Sequence, residues 1–198
     1  MNKDRIRFKQ RDYHLEEIDK LDNINWCIEK YGCGPTSIAN ILVNLGFDID
    51  PIYTTKKILF DKNETFDDTY LRNKGINEKG LLYCLDRLIK EDNYNITYEI
   101  VKINFNNPDE QKTKIINLLK QGYMAIIHVG PYEKSSLTFS KNGHYLVISD
   151  IDENNKFYVI NSNEIGDRQI GKAFEYDEII KNIYGRKDSF NFLFIGKI

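Results

Sequence analysis

Four stretches rich in β-branched and aromatic residues crowd the last part of this chain, at 123–129, 144–151, 156–161 and 190–198. Runs of that length and composition read as strands. Helical signals lie mostly ahead of them. From Pro35 the apolar residues Ile38, Ile41, Leu42 and Leu45 recur at i, i+3, i+4 and i+7, an amphipathic helix that Gly46 should end. A second helix is expected over 77–91, with Leu81, Leu82, Leu85, Leu88 and Ile89 on one face and Cys84 among them as an inert buried thiol. A strand is expected over 96–103. Asn107-Pro108-Asp109-Glu110 starts another helix, which Gly122 ends, and Asp177 opens a short last one. Helices first and a mostly antiparallel sheet after them give an α+β fold.

The chain of 198 residues is expected to form one domain, 1–198, with 1–22 as an irregular or partly helical lead-in. A net charge of -2 made of mixed signs leaves no footprint for nucleic acid and no polybasic patch for a membrane surface. No apolar run approaches the roughly 18 residues that would span a bilayer. The N-terminus is charged throughout and lacks the apolar centre of a signal peptide. Three cysteines are too few for a disulfide framework, so a reduced, cytoplasmic protein is expected. No Cys/His spacing suggests a metal site.

The stretch Gly32-Cys33-Gly34-Pro35 is where chemistry is expected. A thiol at a helix N-terminus faces unpaired N–H groups and the positive end of the helix dipole, which both favour the nucleophilic thiolate. The flanking glycines would let a substrate backbone approach, and the Cys33 N–H could meet a developing oxyanion. The same residues would equally serve a plain tight turn. A nucleophile needs a base. Of the three histidines, His14 lies in the charged lead-in, His128 ends a strand near an expected sheet edge, and His144 follows Gly143 at the mouth of a strand. A turn at 152–155 would set either Asn161 or Asn163 opposite His144, depending on its centre. Cysteine, histidine and an orienting amide form a thiol-hydrolase constellation.

Cys33-Gly34-Pro35-Thr36-Ser37, leading into an Ile/Leu helix, resembles the nucleophile segment of the bacteriocin-processing (double-glycine leader) cysteine peptidases, cysteine peptidase family thirty-nine. Gly143-His144-Tyr145-Leu146-Val147-Ile148 resembles their Gly-His strand, and Phe157-Tyr158-Val159-Ile160-Asn161 the strand that follows. The resemblance implies a papain-like fold with Cys33 as nucleophile, His144 as base and Asn161 as orienting residue. It implies a peptide or protein substrate and no metal or organic cofactor. Two departures stand out. Asn161-Ser162 replaces the family's Asp-Pro, and residues 12–32 hold no counterpart of the glutamine that precedes the family's cysteine. Asn23 and Asn25 are the amides that could substitute as oxyanion donor, Asn23 being preferred.

The function implied is hydrolysis of a peptide bond through a Cys-His-Asn triad. The alternatives are a non-catalytic peptide-binding module of the same fold and a thiol acyltransferase or amidase. The long segment 130–143 is expected to overhang the catalytic side, with Tyr132 and Phe139 covering an extended peptide.

Overall fold

The computed structural model describes residues 5–13, 26–103, 106–130, 139–140, 142–183 and 191–198. The expectations for His14, Asn23, Asn25, Tyr132 and Phe190 fall outside them. Along the chain, a single turn, α1 (Ile28–Tyr31), runs almost directly into α2 (Cys33–Asn44), and α3 (Pro51–Leu59) follows. The strands β1 (Leu71–Arg72) and β2 (Gly75–Ile76) form a hairpin, and α4 spans Glu78–Lys90. Then come β3 (Ile96–Val101), α5 (Pro108–Lys120), β4 (Met124–Val129), β5 (His144–Ile151), β6 (Phe157–Ile160), β7 (Ala173–Phe174), α6 (Tyr176–Asn182) and β8 (Phe192–Lys197).

The last six strands form one antiparallel sheet, ordered β3-β8-β4-β5-β6-β7. The chain is α+β, as its pattern predicts. The strands read as apolar runs because both faces of the sheet are covered. Met124, Ile126, Tyr145, Val147, Leu193 and Ile195 pack with the apolar side chains of α2, α3 and α4. Ala125, Ile127, Leu146, Ile148, Phe192 and Phe194 pack on the other side with Ile115 and Leu119 of α5 and Ile179 of α6.

Local signals account for the helix ends. Gly46 and Gly122 lie just past α2 and α5 with φ of +89° and +88°, a conformation open to glycine without strain. The Asn77 side chain accepts from Gly80 N at 3.0 Å and caps α4. Two elements escape the periodic reading. The nine-residue α3 starts at an Asp50-Pro51 cap, where Asp50 Oδ1 accepts from Tyr53 N at 2.7 Å. The β1–β2 hairpin turns on Asn73 and Lys74, both at positive φ (51° and 69°), the geometry of a two-residue hairpin turn. The helix α2 also differs from expectation. It is not amphipathic in its setting, because Gly34 through Leu42 are all buried, Thr36, Ser37 and Asn40 included.

The charged N-terminus explains part of that burial. Ile6 and Phe8 exchange backbone hydrogen bonds with the Asn44 and Asn40 side chains, one helical turn apart on α2. Arg7 donates to the carbonyls of Asn161 (2.7 Å) and Asn163 (2.9 Å), and Gln10 N donates to Ser162 O at 3.0 Å. The segment is a strap joining α2 to the turn after β6. Arg7, Lys9 and Arg11 also pair with the Asp167 carboxylate, and the first two hold it well below the usual carboxylate range. In urea titrations Arg7→Ala is expected to destabilise by about 2 kcal/mol, since it strips two part-buried carbonyls of a charged donor. Asp167→Asn, which removes only exposed ion pairs, should cost within about 1 kcal/mol. Equal losses would show that the ion pairs, not the backbone ties, hold the strap.

Among the described residues no helix is long and apolar enough to cross a membrane.

Candidate active site

Cys33 is the first residue of α2, with Gly32 alone between it and α1. A Cβ on Gly32 would stand 2.7 Å from Ile28 Cα, and one on Gly34 would stand 2.9 Å from Leu81 Cδ2 and 3.5 Å from Ile76 Cβ. Both glycines therefore serve the helix junction and its packing, not the approach of a substrate backbone. The sulfur lies against the backbone N–H groups of Tyr145, Gly34 and Cys33 itself. These favour a thiolate, but burial around the sulfur outweighs them and pushes the thiol above its ordinary value. The resting group is a thiol, contrary to what a helix N-terminus alone suggests.

Cys33 is partly exposed in a cleft of about 530 Å³, lined also by Tyr31, Ile76, His128, Gly143 and Tyr145. His144 opens β5 and is 5% exposed, with Nε2 2.9 Å from Asn161 Oδ1. Burial pushes this imidazole down to about 4; the Asn161 bond acts against the shift, and nearby His128 adds to it. The Asn161 side chain is turned one way only. Its Nδ2 donates to Phe139 O (3.0 Å) and Gln169 Oε1 (2.9 Å), while Oδ1 accepts from Asn163 N (3.2 Å). The oxygen therefore faces His144, whose Nε2 must carry the proton, leaving Nδ1 as the ring's acceptor. No hydrogen bond joins Cys33 Sγ to the His144 ring among the described residues. The structure pairs His144 with Asn161 and sets the thiol beside the next backbone amide, that of Tyr145.

That pairing is not the one set by strand register. Beyond a bulge near Ser149, Val147 pairs with Ile160 and Ile148 with Val159, a register that would set His144 opposite Asn163. The imidazole instead reaches its diagonal neighbour. Asn163 has other work. It donates to Phe139 O at 3.1 Å and accepts from Gly166 N to cap the short helix Glu164–Arg168.

Other expectations are corrected. His128 lies on an inner strand, though past the β4–β8 pairs, which end at Ile126; its ring stacks on Tyr145 at 4.6 Å and lines the cleft. Phe139 covers no peptide. It is 1% exposed and packs edge-on against Phe174 at 5.1 Å. Cys84 (0%) is buried as expected, with burial pushing its thiol up to about 12, and Cys27 (1%) is buried as well. Gln10 and Gln169 carry no sequence signal, yet both are buried at the site's rear. Gln10 Nε2 donates to Ile28 O at 3.1 Å, and its Oε1 accepts from Ser162 Oγ at 2.9 Å. Among the described residues no group of three or more His, Cys, Asp or Glu side chains is placed to hold a metal ion.

Because His144 is held neutral, its folded value lies below its unfolded value of about 6.5. The unfolded chain then binds the extra proton first, so stability from this group is complete above pH about 6.5 and is lost as pH falls toward 4. A His144→Ala variant should lack that slope in urea midpoints measured between pH 4 and 6.5. An unchanged slope would place the titration elsewhere.

A profile of the Peptidase_C39 like family matches residues 8–187. No curated protein sequence matches the chain. Solved structures similar to it include the following two. One is a C39-like peptidase from Bacillus anthracis, with TM-score 0.50 and 11% identity over 99% of this chain and 96% of that one. The other is the peptidase domain of Streptococcus ComA, a bifunctional ABC transporter of a quorum-sensing pathway, with TM-score 0.49 and 14% identity over 83% and 89%.

Proposed function

The chain belongs to the Peptidase_C39 like family, and from that premise we propose that it is a papain-like cysteine peptidase in which Cys33, His144 and Asn161 act together. The single observation that carries this reading is the Asn161–His144 bond, which fixes the imidazole as the tautomer with a free acceptor nitrogen. In the proposed reaction His144 Nδ1 takes the proton of Cys33 as Sγ attacks the substrate carbonyl carbon. The oxyanion forms beside the Cys33 N–H at the start of α2. His144 then returns the proton to the leaving amine as the C–N bond breaks, leaving a thioester. Water, deprotonated by the same nitrogen, hydrolyses the thioester and frees the thiol. Starting from neutral thiol and neutral imidazole, the step requires the ring to close on the sulfur in the substrate complex, as catalytic hydrogen bonds often do.

A second reading, a peptide-binding module without turnover, is favoured by that same resting state, in which both groups are neutral and no Cys33–His144 hydrogen bond is made among the described residues. One experiment separates the two. Native protein treated with iodoacetamide at pH 8 should be labelled at Cys33, with Cys27 and Cys84 spared, and a peptide library should yield cleaved products. Selective labelling and retained peptide without cleavage would support the binding module. Uniform labelling of all three cysteines would sink both.

A further inference from the structure

The turn after β6 buries a glutamine and exposes an isoleucine. Gln169 is 6% exposed, while its neighbour Ile170 is 66% exposed and Arg168 also faces solvent. This inverts the usual preference of the two side chains. The local backbone gives no reason for it, since Gln169 only closes the short helix, its N–H donating to Gly166 O and its carbonyl accepting from Lys172 N. The reason is at the side chain's end. Gln169 Oε1 accepts from Asn161 Nδ2 at 2.9 Å, inside a site where Asn161 itself is 1% exposed.

Each hydrogen of that amide thus has its own acceptor, Phe139 O and Gln169 Oε1. With one acceptor removed, a buried N–H is left unmet, and the amide has reason to rotate or shift. Any rotation would present Nδ2 to His144 and reverse the proton on the imidazole. We propose that Gln169 is a positioning residue: its carbonyl oxygen locks the Asn161 amide and, through it, holds His144 with the proton on Nε2 and the lone pair on Nδ1. This rests on the proposed roles of His144 and Asn161, and its test reads geometry as well as chemistry.

The test compares Gln169→Leu, which is apolar and carries no acceptor, with Gln169→Glu, which keeps one. Imidazole nitrogen shifts of His144 are recorded by NMR on labelled protein, alongside the rate of Cys33 alkylation by iodoacetamide. Wild type should give the pattern of a single Nε2-protonated ring. Gln169→Leu should give mixed tautomers and alkylate about tenfold more slowly, the scale of one lost buried hydrogen bond. Gln169→Glu should restore the single tautomer and most of the rate, which a merely structural role would not require. A Gln169→Leu ring that keeps the wild-type pattern overturns the proposal, as does equal disturbance by both substitutions. If Cys33 in wild type proves indifferent to His144→Ala, the triad reading falls, while the nitrogen shifts still decide what Gln169 does.

Discussion

Exchanging Cys33 for alanine should leave peptide turnover at the uncatalysed background, and exchanging His144 for alanine should cost about a thousandfold or more. In the proposed reaction the two act as one unit. With the thiol held above its ordinary value, Cys33 cannot attack as a standing thiolate, so the base must take its proton in the same step. The double variant should therefore be no slower than Cys33→Ala alone. His128→Ala is the informative control, because His128 lines the cleft with Cys33 and stacks on Tyr145. It should alter KM more than kcat. A His128 variant as slow as expected for His144, with His144→Ala nearly active, would move the base role to His128. The pH dependence follows from the same groups. His144 neutral down to about 4 should keep turnover alive well below pH 6, and alkylation of Cys33 should climb on the alkaline side as the thiol ionises. Fast, pH-independent alkylation at pH 6 would mean a thiolate–imidazolium pair at rest, against the resting state described here.

Gly166→Ala should be the most damaging single substitution outside the proposed triad, at about 3 kcal/mol or more. A Cβ there would run into the carbonyl group of Asn161, with the carbon at 2.9 Å, and come within 2.5 Å of Arg7 Nη2. Neither neighbour has room to move, because Arg7 is fixed to the Asn161 and Asn163 carbonyls and the Asn161 side chain is bonded in four directions. The added methyl must displace the backbone that presents Asn161, so turnover should fall with stability. Gly46, Gly122 and Gly171 have positive φ but nothing within 4 Å of an added Cβ, so alanine there meets only conformational strain, about 1 to 2 kcal/mol. Calorimetric melting of the four alanine variants checks the order. A Gly166→Ala protein as stable as the other three would mean that the turn relaxes freely.

The sequence alone determined five of the six strands of the sheet, all but the two-residue β7, together with the helices α2, α4 and α5 and the placement of a cysteine at a helix start and a histidine at a strand start. Those features rest on short-range pattern, such as period, caps and glycines past helix ends, and residues a few positions apart carry them whatever the rest of the chain does. The helix α3 left only a short Asp-Pro signal, and the β1–β2 hairpin none by periodicity, since two-residue strands have no period to read. Protonation and partner choice belonged to the tertiary structure. A helix N-terminus favours thiolate at Cys33, but burial around the sulfur reverses the balance, and desolvation is a property of the assembled core. Strand arithmetic left Asn161 and Asn163 open. Against the register beyond the bulge, the choice fell to Asn161 because the Phe139 carbonyl, Gln169 and the N-terminal strap converge there. Arg7 and Asn161 are 154 positions apart in the chain, and no local pattern encodes a contact over that distance.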